Sequence, residues 1–399
     1  MLALFLLKRV DCNDGVASHI ETLVSGLAQR GWRVVMATGD IHGHEVARQR
    51  YNSIKNAIVD WIVINNFRQP AIMIRTIGRI ADVTDRYDVD LIHVHGLSLL
   101  PYAALLRWKT GRKFVASYHP SAHSGDPRKI RTSLSFATIA GYAAALHGCR
   151  PDRIIAFSSE IFELFTRSCG YPESKVDKIF LGIDTRHFRP PNPSEREAAR
   201  RRLGIEPGDV AVVLPGRLNW NKGHDLLIAS ARELAARRPH VSFRYIFPGA
   251  GAQEESIRDA AARASSDRGA FLFPGFVDDM RSIFFAADMA VLPSRHEGFG
   301  LVVAEAMACG LPVIRTPSGG FEDQIVEGKN GFAIPFNDAA ALTARIGDLL
   351  DASVRRRMSS AALERSKLFD SEEMVMKTAA LYVRVASETR FRGNVACRR

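Results

Sequence analysis

Two glutamates eight residues apart, Glu297 and Glu305, lie in the segment Ser294-Arg-His-Glu-Gly-Phe-Gly-Leu-Val-Val-Ala-Glu-Ala-Met-Ala-Cys-Gly-Leu-Pro312. The segment follows an apolar run of strand length, Met289–Leu292. It therefore starts where open α/β sheets bind their ligands, at the C-terminal end of a strand. Gly298 and Gly300 allow the backbone to approach a ligand closely and to take unusual φ values. A helix from about Leu301 to Cys309 then aims its N-terminal amides at that place, a ready anion site. One glutamate sits in the loop and the other on the helix, so they serve different parts of one ligand and do not form an acid/base dyad. Gly310 and Pro312 stop the helix and launch the next strand.

A second loop of the same kind is Pro215-Gly-Arg-Leu-Asn-Trp-Asn-Lys-Gly223, which follows the strand Val210–Leu214. Arg217 forks onto phosphate oxygens and Lys222 acts as a point charge, a combination suited to a diphosphate. Pro248-Gly-Ala-Gly251 is a further glycine turn after a strand, and Phe273-Pro-Gly-Phe-Val277 closes another. Near the start, Gly15 stands in the first strand-to-helix turn, Asn13-Asp-Gly-Val-Ala-Ser-His19. Ser117-Tyr-His119-Pro follows a strand. Two patterns resemble metal sites. Asp88-Val-Asp90 reads as a carboxylate pair, but it stands at the entry to the strand Leu91–Val94. His93 and His95 share one strand face, yet no third ligand stands nearby in the sequence, so no metal site is expected.

The elements that must position these groups alternate between strand and helix. Leu2–Leu7 is a continuous apolar run, as a parallel strand buried on both faces requires. Val16, Ile20, Leu23, Val24 and Leu27 mark one helical face closed by Gly31, and Trp32–Ala37 is the next strand. Leu91–Val94, Phe114–Ser117 and Arg153–Phe157 continue the series. Residues 189–208 break it with Pro190, Pro191 and Pro193, a charged helix over Glu195–Leu203, and Pro207-Gly208. This stretch is expected to be an interdomain linker. A second series then runs through Val210–Leu214, Phe243–Phe247, Ala270–Phe273, Met289–Leu292 and Pro312–Arg315. The pattern implies an α/β protein with two domains, 1–188 and 209–369, and a final helix over about 370–399 that returns to the first.

Glu297-x7-Glu305 within EGFGLVVAEAMACGLPV resembles the donor-site motif of the GT-B retaining glycosyltransferases, in particular glycosyltransferase family 4. The resemblance covers the chain from Gly15 to Gly331. It implies two Rossmann-like β/α/β domains facing each other across a cleft, an acceptor-binding first domain and a second that binds a nucleotide diphosphate sugar, UDP- or GDP-linked. The reaction implied is transfer of the sugar to an acceptor hydroxyl with the anomeric configuration retained, without metal or cofactor. By resemblance, Arg217 and Lys222 hold the diphosphate and stabilise the departing nucleotide, and His119 contacts the donor sugar near the reacting carbon. Glu297, Gly298, Phe299, Gly300, Leu301 and Glu305 form the donor loop and helix, and Gly15 lies at the corresponding turn of the first domain. Val277 corresponds to a backbone contact with the nucleobase, although aromatic packing at a strand end explains that loop equally well. Leu181-Gly-Ile-Asp184 resembles the family's turn at the domain edge. The family usually has two glycines at the first turn, where this chain has Asp14-Gly15.

Composition bounds the partners. The chain has 399 residues, 46% hydrophobic and 24% charged, which excludes disordered and collagen-like classes. Five cysteines, Cys12, Cys149, Cys169, Cys309 and Cys397, form no CxxC pair, so a disulfide framework is not expected and a reducing cytoplasm is. Lys8 and Arg9 follow the first apolar run instead of preceding it, which favours a buried strand over a signal peptide. The net charge of +11 points to an acidic partner: nucleic acid, anionic lipid or a phosphorylated small molecule. The basic residues lack the aromatic interleaving of single-strand binders, so nucleic acid is the weakest of these. Arg107, Lys109, Arg112, Lys113, Arg128, Lys129 and Arg131 form a basic segment bracketing His119, with Leu105, Leu106 and Trp108 at its start. Such a patch suits peripheral binding to the inner face of a cell membrane and a glycan or lipid-linked acceptor, in bacterial lipid-linked glycan, lipopolysaccharide or exopolysaccharide synthesis. A nucleotide-sugar hydrolase or epimerase on the same fold is the alternative, and a nucleic-acid-binding protein the second.

Overall fold

The structure, a computed structural model, describes residues 1–7, 15–39, 52–64, 70–119 and 136–396. Asn13 and Asp14 of the first turn, and Arg128, Lys129 and Arg131 of the basic segment, lie outside the described residues. The described chain forms two compact units. One comprises 1–119, 136–182 and 371–396, and the other comprises 183–370.

The first unit is built on seven parallel strands: β1 (Leu2–Leu7), β2 (Arg33–Thr38), β3 (Asp60–Val63), β4 (Leu91–His95), β5 (Lys113–Ser117), β6 (Arg153–Ala156) and β7 (Val176–Lys178). Their order is β3-β2-β1-β4-β5-β6-β7, so the winding reverses between β1 and β4. Every residue of β1 is buried, which is why its sequence carries no polar alternation. The helix Gly15–Gln29 buries Ile20, Leu23, Val24 and Leu27, and Gly31 (φ 76°) supplies the left-handed residue that turns the chain into β2.

The helix Ser371–Ala396 belongs to this unit and buries Met374, Val375, Leu381, Tyr382 and Val385. It crosses the helix Gly15–Gln29 so closely that a Cβ on Gly26 would lie 2.6 Å from Val375 Cγ2. Gly182 is equally constrained, since a Cβ there would lie 2.5 Å from Ser371 Cα.

The second unit repeats the plan with six parallel strands: β8 (Val210–Val213), β9 (Phe243–Pro248), β10 (Gly269–Gly275), β11 (Met289–Leu292), β12 (Val313–Arg315) and β13 (Gly331–Ala333). The order β10-β9-β8-β11-β12-β13 reverses between β8 and β11. Both units are therefore Rossmann-like, with the strand order 3-2-1-4-5-6 shared by each.

The stretch 189–208 is not a free linker. Its helix, Pro193–Arg202, starts at a capping box in which Asn192 and Glu195 satisfy each other's backbone amides. Arg196 and Arg200 then clamp Asp288 at the entry to β11, at 2.7 and 3.4 Å. Arg196 also donates to the carbonyls of Phe285 and Ala287. The charges that look like a solvated helix in sequence are thus spent on the second unit. The boundary between units falls at Gly182/Ile183, not at 188, because Ile183 donates to the Phe369 carbonyl at 2.8 Å and bridges to Asp370.

Candidate active site

In the second unit, the loops leaving β8 and β11 emerge side by side, because these strands are neighbours at the point where the winding reverses. That crevice is where doubly wound sheets take their ligands. The loops are pressed together: a Cβ on Gly223 (φ 78°) would lie 2.4 Å from the Pro293 carbonyl oxygen. Arg295 ties them laterally. Its amide donates to Asn221 at 2.7 Å, and its guanidinium is bidentate to Asp225 at 2.6 and 2.9 Å and donates to the Trp220 carbonyl. Nothing in the spacing of the sequence marked Arg295 for this duty.

Lys222 and Glu297, one from each loop, meet as an ion pair, and Ser294 donates its hydroxyl to the same carboxylate oxygen at 3.0 Å. Burial would push the Glu297 carboxyl up. The Lys222 ammonium, then Arg315 and Ser294, outweigh it and hold the group below its usual value. Glu297 is therefore an anion under ordinary conditions. Arg217 extends from the same β8 loop, exposed, with no ion pair or hydrogen bond from its side chain among the described residues.

The turn Pro248–Gly251 braces this loop from behind. A Cβ on Gly249 would lie 2.2 Å from the Gly216 oxygen, and one on Gly251 would lie 2.3 Å from that of Leu218. Its glycines serve the packing of the Arg217 loop. Phe273 lies under Arg258 (4.4 Å) and meets Phe247 edge-on, while Val277 is half-buried beyond β10.

The helix Leu301–Ala308 opens at Gly300 (φ 77°) and carries Glu305, half-buried, in its second turn. Leu301 is half-buried at the helix start. Phe299 points into the core, edge-on to Phe369, so only its backbone remains for a ligand. Beneath the loop lies Arg315, fully buried at the end of β12. It donates to the carbonyls of Ser318 (3.0 Å) and Gly319 (2.9 Å) and to the side chain of Gln324. Gln324 in turn donates to the carbonyls of Phe299 (3.0 Å) and Gly300 (3.2 Å). A charged residue closing the otherwise apolar strand Val313–Arg315 was the one signal of this support.

In the first unit, His119 stands just past β5, and the structure surrounds it with histidines that the sequence scatters. His95 Nδ1 lies 3.3 Å from His119 Nε2 and 3.2 Å from Ser117 Oγ. His19, on the helix that Gly15 begins, lies tilted beside His119 with ring centroids 5.4 Å apart. His93, two residues from His95 on the same face of β4, meets the Tyr382 hydroxyl at 2.5 Å. The expectation that His95 has no third imidazole beside it is overturned, because a helix and a strand end bring His19 and His119 to it. Burial lowers all four, with His93 and His119 each near 3, so the rings are neutral.

The pair Asp88 and Asp90 is structural. Asp88 sits in a turn at φ 48° and pairs with Arg112 at 2.8 Å, while Asp90 accepts the Leu2 amide at 2.8 Å. The basic segment is thinner than its composition suggests. Arg107 donates to the carbonyls of Cys149 and Arg150 and lies over Phe114, and Leu106 is buried. Trp108, by contrast, is 85% exposed and Leu105 38%. Among the described residues, no helix is long and apolar enough to cross a membrane.

Comparison with known proteins agrees with this geometry. Residues 13–187 match the model of Glycosyltransferase Family 4, and residues 195–365 match that of Glycosyl transferases group 1. The chain is 28% identical over 305 residues to EpsD of Bacillus subtilis, named as a glycosyltransferase, covering 75% of this chain and 78% of that one. It is 33% identical over 189 residues to a D-inositol 3-phosphate glycosyltransferase of Rhodococcus opacus, spanning 46% of this chain and 42% of the relative. Among solved structures, Anabaena HepE in complex with UDP superposes with a TM-score of 0.79 at 20% identity, over 96% and 99% of the two chains. WaaG, a glycosyltransferase involved in lipopolysaccharide biosynthesis, gives 0.68 at 16% identity, over 95% and 99%. With a glycosyltransferase family model on each half of the chain and two Rossmann-like sheets, the chain is a glycosyltransferase of the GT-B fold, matching family 4 in its first half and group 1 in its second.

Proposed function

We propose that this glycosyltransferase takes its sugar from a UDP- or GDP-sugar and passes it to an acceptor hydroxyl with retention of configuration, without a metal ion at the phosphates. The observation that carries the reading is the Lys222–Glu297 pair at the switch point, with Arg217 on the same loop and a helix N-terminus three residues beyond Gly298. Lys222 and Arg217 offset the charge that grows on the leaving diphosphate as the bond to the sugar breaks. Fixed cations at that position act without reorganising, which is where electrostatic catalysis gains most. The departing phosphate oxygen accepts the proton of the acceptor hydroxyl. Glu297, ionised and shared with Lys222, orients the sugar, and Glu305 attends the nucleotide ribose. His119 serves the donor sugar on the strength of the family resemblance.

A UDP complex of the similar Anabaena protein supports uridine as the base, and the part WaaG takes in lipopolysaccharide biosynthesis supports a bacterial envelope glycan as the pathway. The exposed Trp108 and Leu105 on the helix Leu100–Thr110, beside Lys109, support a lipid-linked acceptor met at an anionic membrane surface.

Thermal-shift screening with UDP, GDP and ADP and their sugars tests the donor. Stabilisation is expected from UDP or GDP and their sugars, and should persist in EDTA. A strict requirement for Mn²⁺ or Mg²⁺ would remove the metal-free reading, and an inverted anomer in the product would remove retention. Sedimentation with liposomes tests the membrane arm, where binding to anionic vesicles should exceed binding to neutral ones and fall with salt.

A further inference from the structure

His19, His95 and His119 come from three different elements of the first unit: the helix Gly15–Gln29, the end of β4 and the residue two past β5. One nitrogen from each lies within 4.8 Å of the others. Both ring nitrogens of His19, and Nε2 of His95, are buried without a hydrogen-bond partner among the described residues. Buried imidazole nitrogens left unpaired are costly, and two rings that carry them, His19 and His95, meet His119 at one place where a ligand could accept their lone pairs. We propose that His19, His95 and His119 form a binding site for one late first-row transition-metal ion, with Zn²⁺ the fitting occupant and solvent as the fourth ligand.

The donor set decides the class of ion. Three imidazoles with no carboxylate suit Zn²⁺, Co²⁺, Ni²⁺ or Cu²⁺ and are poor ligands for Mg²⁺ or Ca²⁺. Zinc–nitrogen bonds are about 2.0–2.1 Å, so the three nitrogens must draw closer than 4.8 Å to share one ion. The outer support that metal-binding imidazoles need is at hand in Ser117, whose hydroxyl meets His95 Nδ1 at 3.2 Å, while Nε2 of that ring has no hydrogen-bond partner among the described residues. His119 is the half-buried member and marks the side on which an ion and its water would enter. His93, bonded through Nδ1 to Tyr382, stands behind the trio as packing.

The site is not the diphosphate site, which lies in the other unit and carries its own cations. Its consequence for transfer rests on the reading of His119 given above: a metal ion bound to that ring withdraws it from the sugar, so occupancy inhibits.

Titration of the chelator-stripped full chain with Co²⁺ tests the site directly. One equivalent should raise the intense visible bands of four-coordinate cobalt, and Zn²⁺ should abolish them by competition. His19→Gln and His95→Gln should each weaken binding at least ~100-fold, and Ser117→Ala about tenfold. Circular dichroism and thermal melting establish that each variant is folded. Absence of the bands in the wild type, or wild-type affinity in both folded histidine variants, would overturn the proposal. Loss of transfer in step with cobalt occupancy supports both the site and the role of His119. Stoichiometric binding with undiminished transfer supports the site and removes His119 from the sugar.

Discussion

At the point where the second sheet reverses its winding, a lysine and a glutamate form an ion pair beside a helix N-terminus. At the corresponding point of the first sheet, four imidazoles crowd together, and burial holds each of them neutral. The backbones are the same device, with strand order 3-2-1-4 in both units. The difference lies in what the strand ends carry and in how dry they are. Basic side chains beside an ionised carboxylate suit a ligand bearing phosphates, whereas unprotonated rings offer lone pairs. Fold alone supplies the crevice, and side chains assign its chemistry.

The largest effect that would test this contrast is in the charged crevice. Lys222→Ala and Arg217→Ala should each cost about 2–4 kcal/mol in the barrier to transfer, about 1.5 to 3 orders of magnitude in kcat. The melting temperature should stay nearly unchanged in Arg217→Ala and fall in Lys222→Ala, which leaves the Glu297 carboxylate buried without its partner. Wild-type turnover in both variants would break the comparison at its strongest point.

The two glutamates should separate by kinetic constant. Glu297→Ala should lower turnover chiefly, whereas Glu305→Ala should chiefly weaken nucleotide binding, by about 1.5–3 kcal/mol if it loses one hydrogen bond to a charged group. Calorimetry with free nucleotide beside steady-state assays distinguishes them, and the opposite pattern would exchange their roles.

In the histidine region the analogous change should register as stability. Tyr382→Phe leaves His93 Nδ1 buried without its partner, at a cost of about 1–3 kcal/mol in unfolding free energy and little in kcat. A large loss of turnover with unchanged stability would show that this region does more than pack and bind.

The smallest expected effect is in pH. The folded Glu297 carboxyl titrates below its ordinary value of 4.5, so its contribution to stability is complete above that value. It is lost only as pH falls through the lower folded value. Melting curves of wild type and Glu297→Gln should therefore stay parallel above pH 4.5 and converge below it. Convergence beginning near neutrality would mean that Lys222 does not hold the carboxylate down.

Much of this was legible in the sequence because the deciding signals are local. Continuous apolar runs gave β1, β8 and β11 nearly to the residue, since a strand buried on both faces leaves no other pattern. Lys222 and Glu297 were legible as loop residues after strands, and the structure brings them together. The short strands β3, β7 and β13 were not, because three or four residues, some half-exposed, are fixed by their neighbours in the sheet. Arg196, Arg295 and Arg315 were also hidden, since each works through partners that are distant along the chain or belong to backbone carbonyls. The histidine trio shows the same limit: 76 residues separate His19 from His95 in the sequence, and only tertiary folding makes them neighbours.

The first unit is interrupted in the chain by the whole of the second, from Ile183 to Asp370, and is completed by the helix that begins at Ser371. During synthesis the ribosome therefore delivers the six-stranded sheet entire before it delivers the piece that seats Val375 on Gly26 and Tyr382 on His93. The nascent first sheet must wait with that apolar groove uncovered while its neighbour folds, a window in which it depends on chaperones or on its own short-range contacts. Translation thus imposes a timetable: the phosphate-handling half can mature early, and the histidine-lined half closes last.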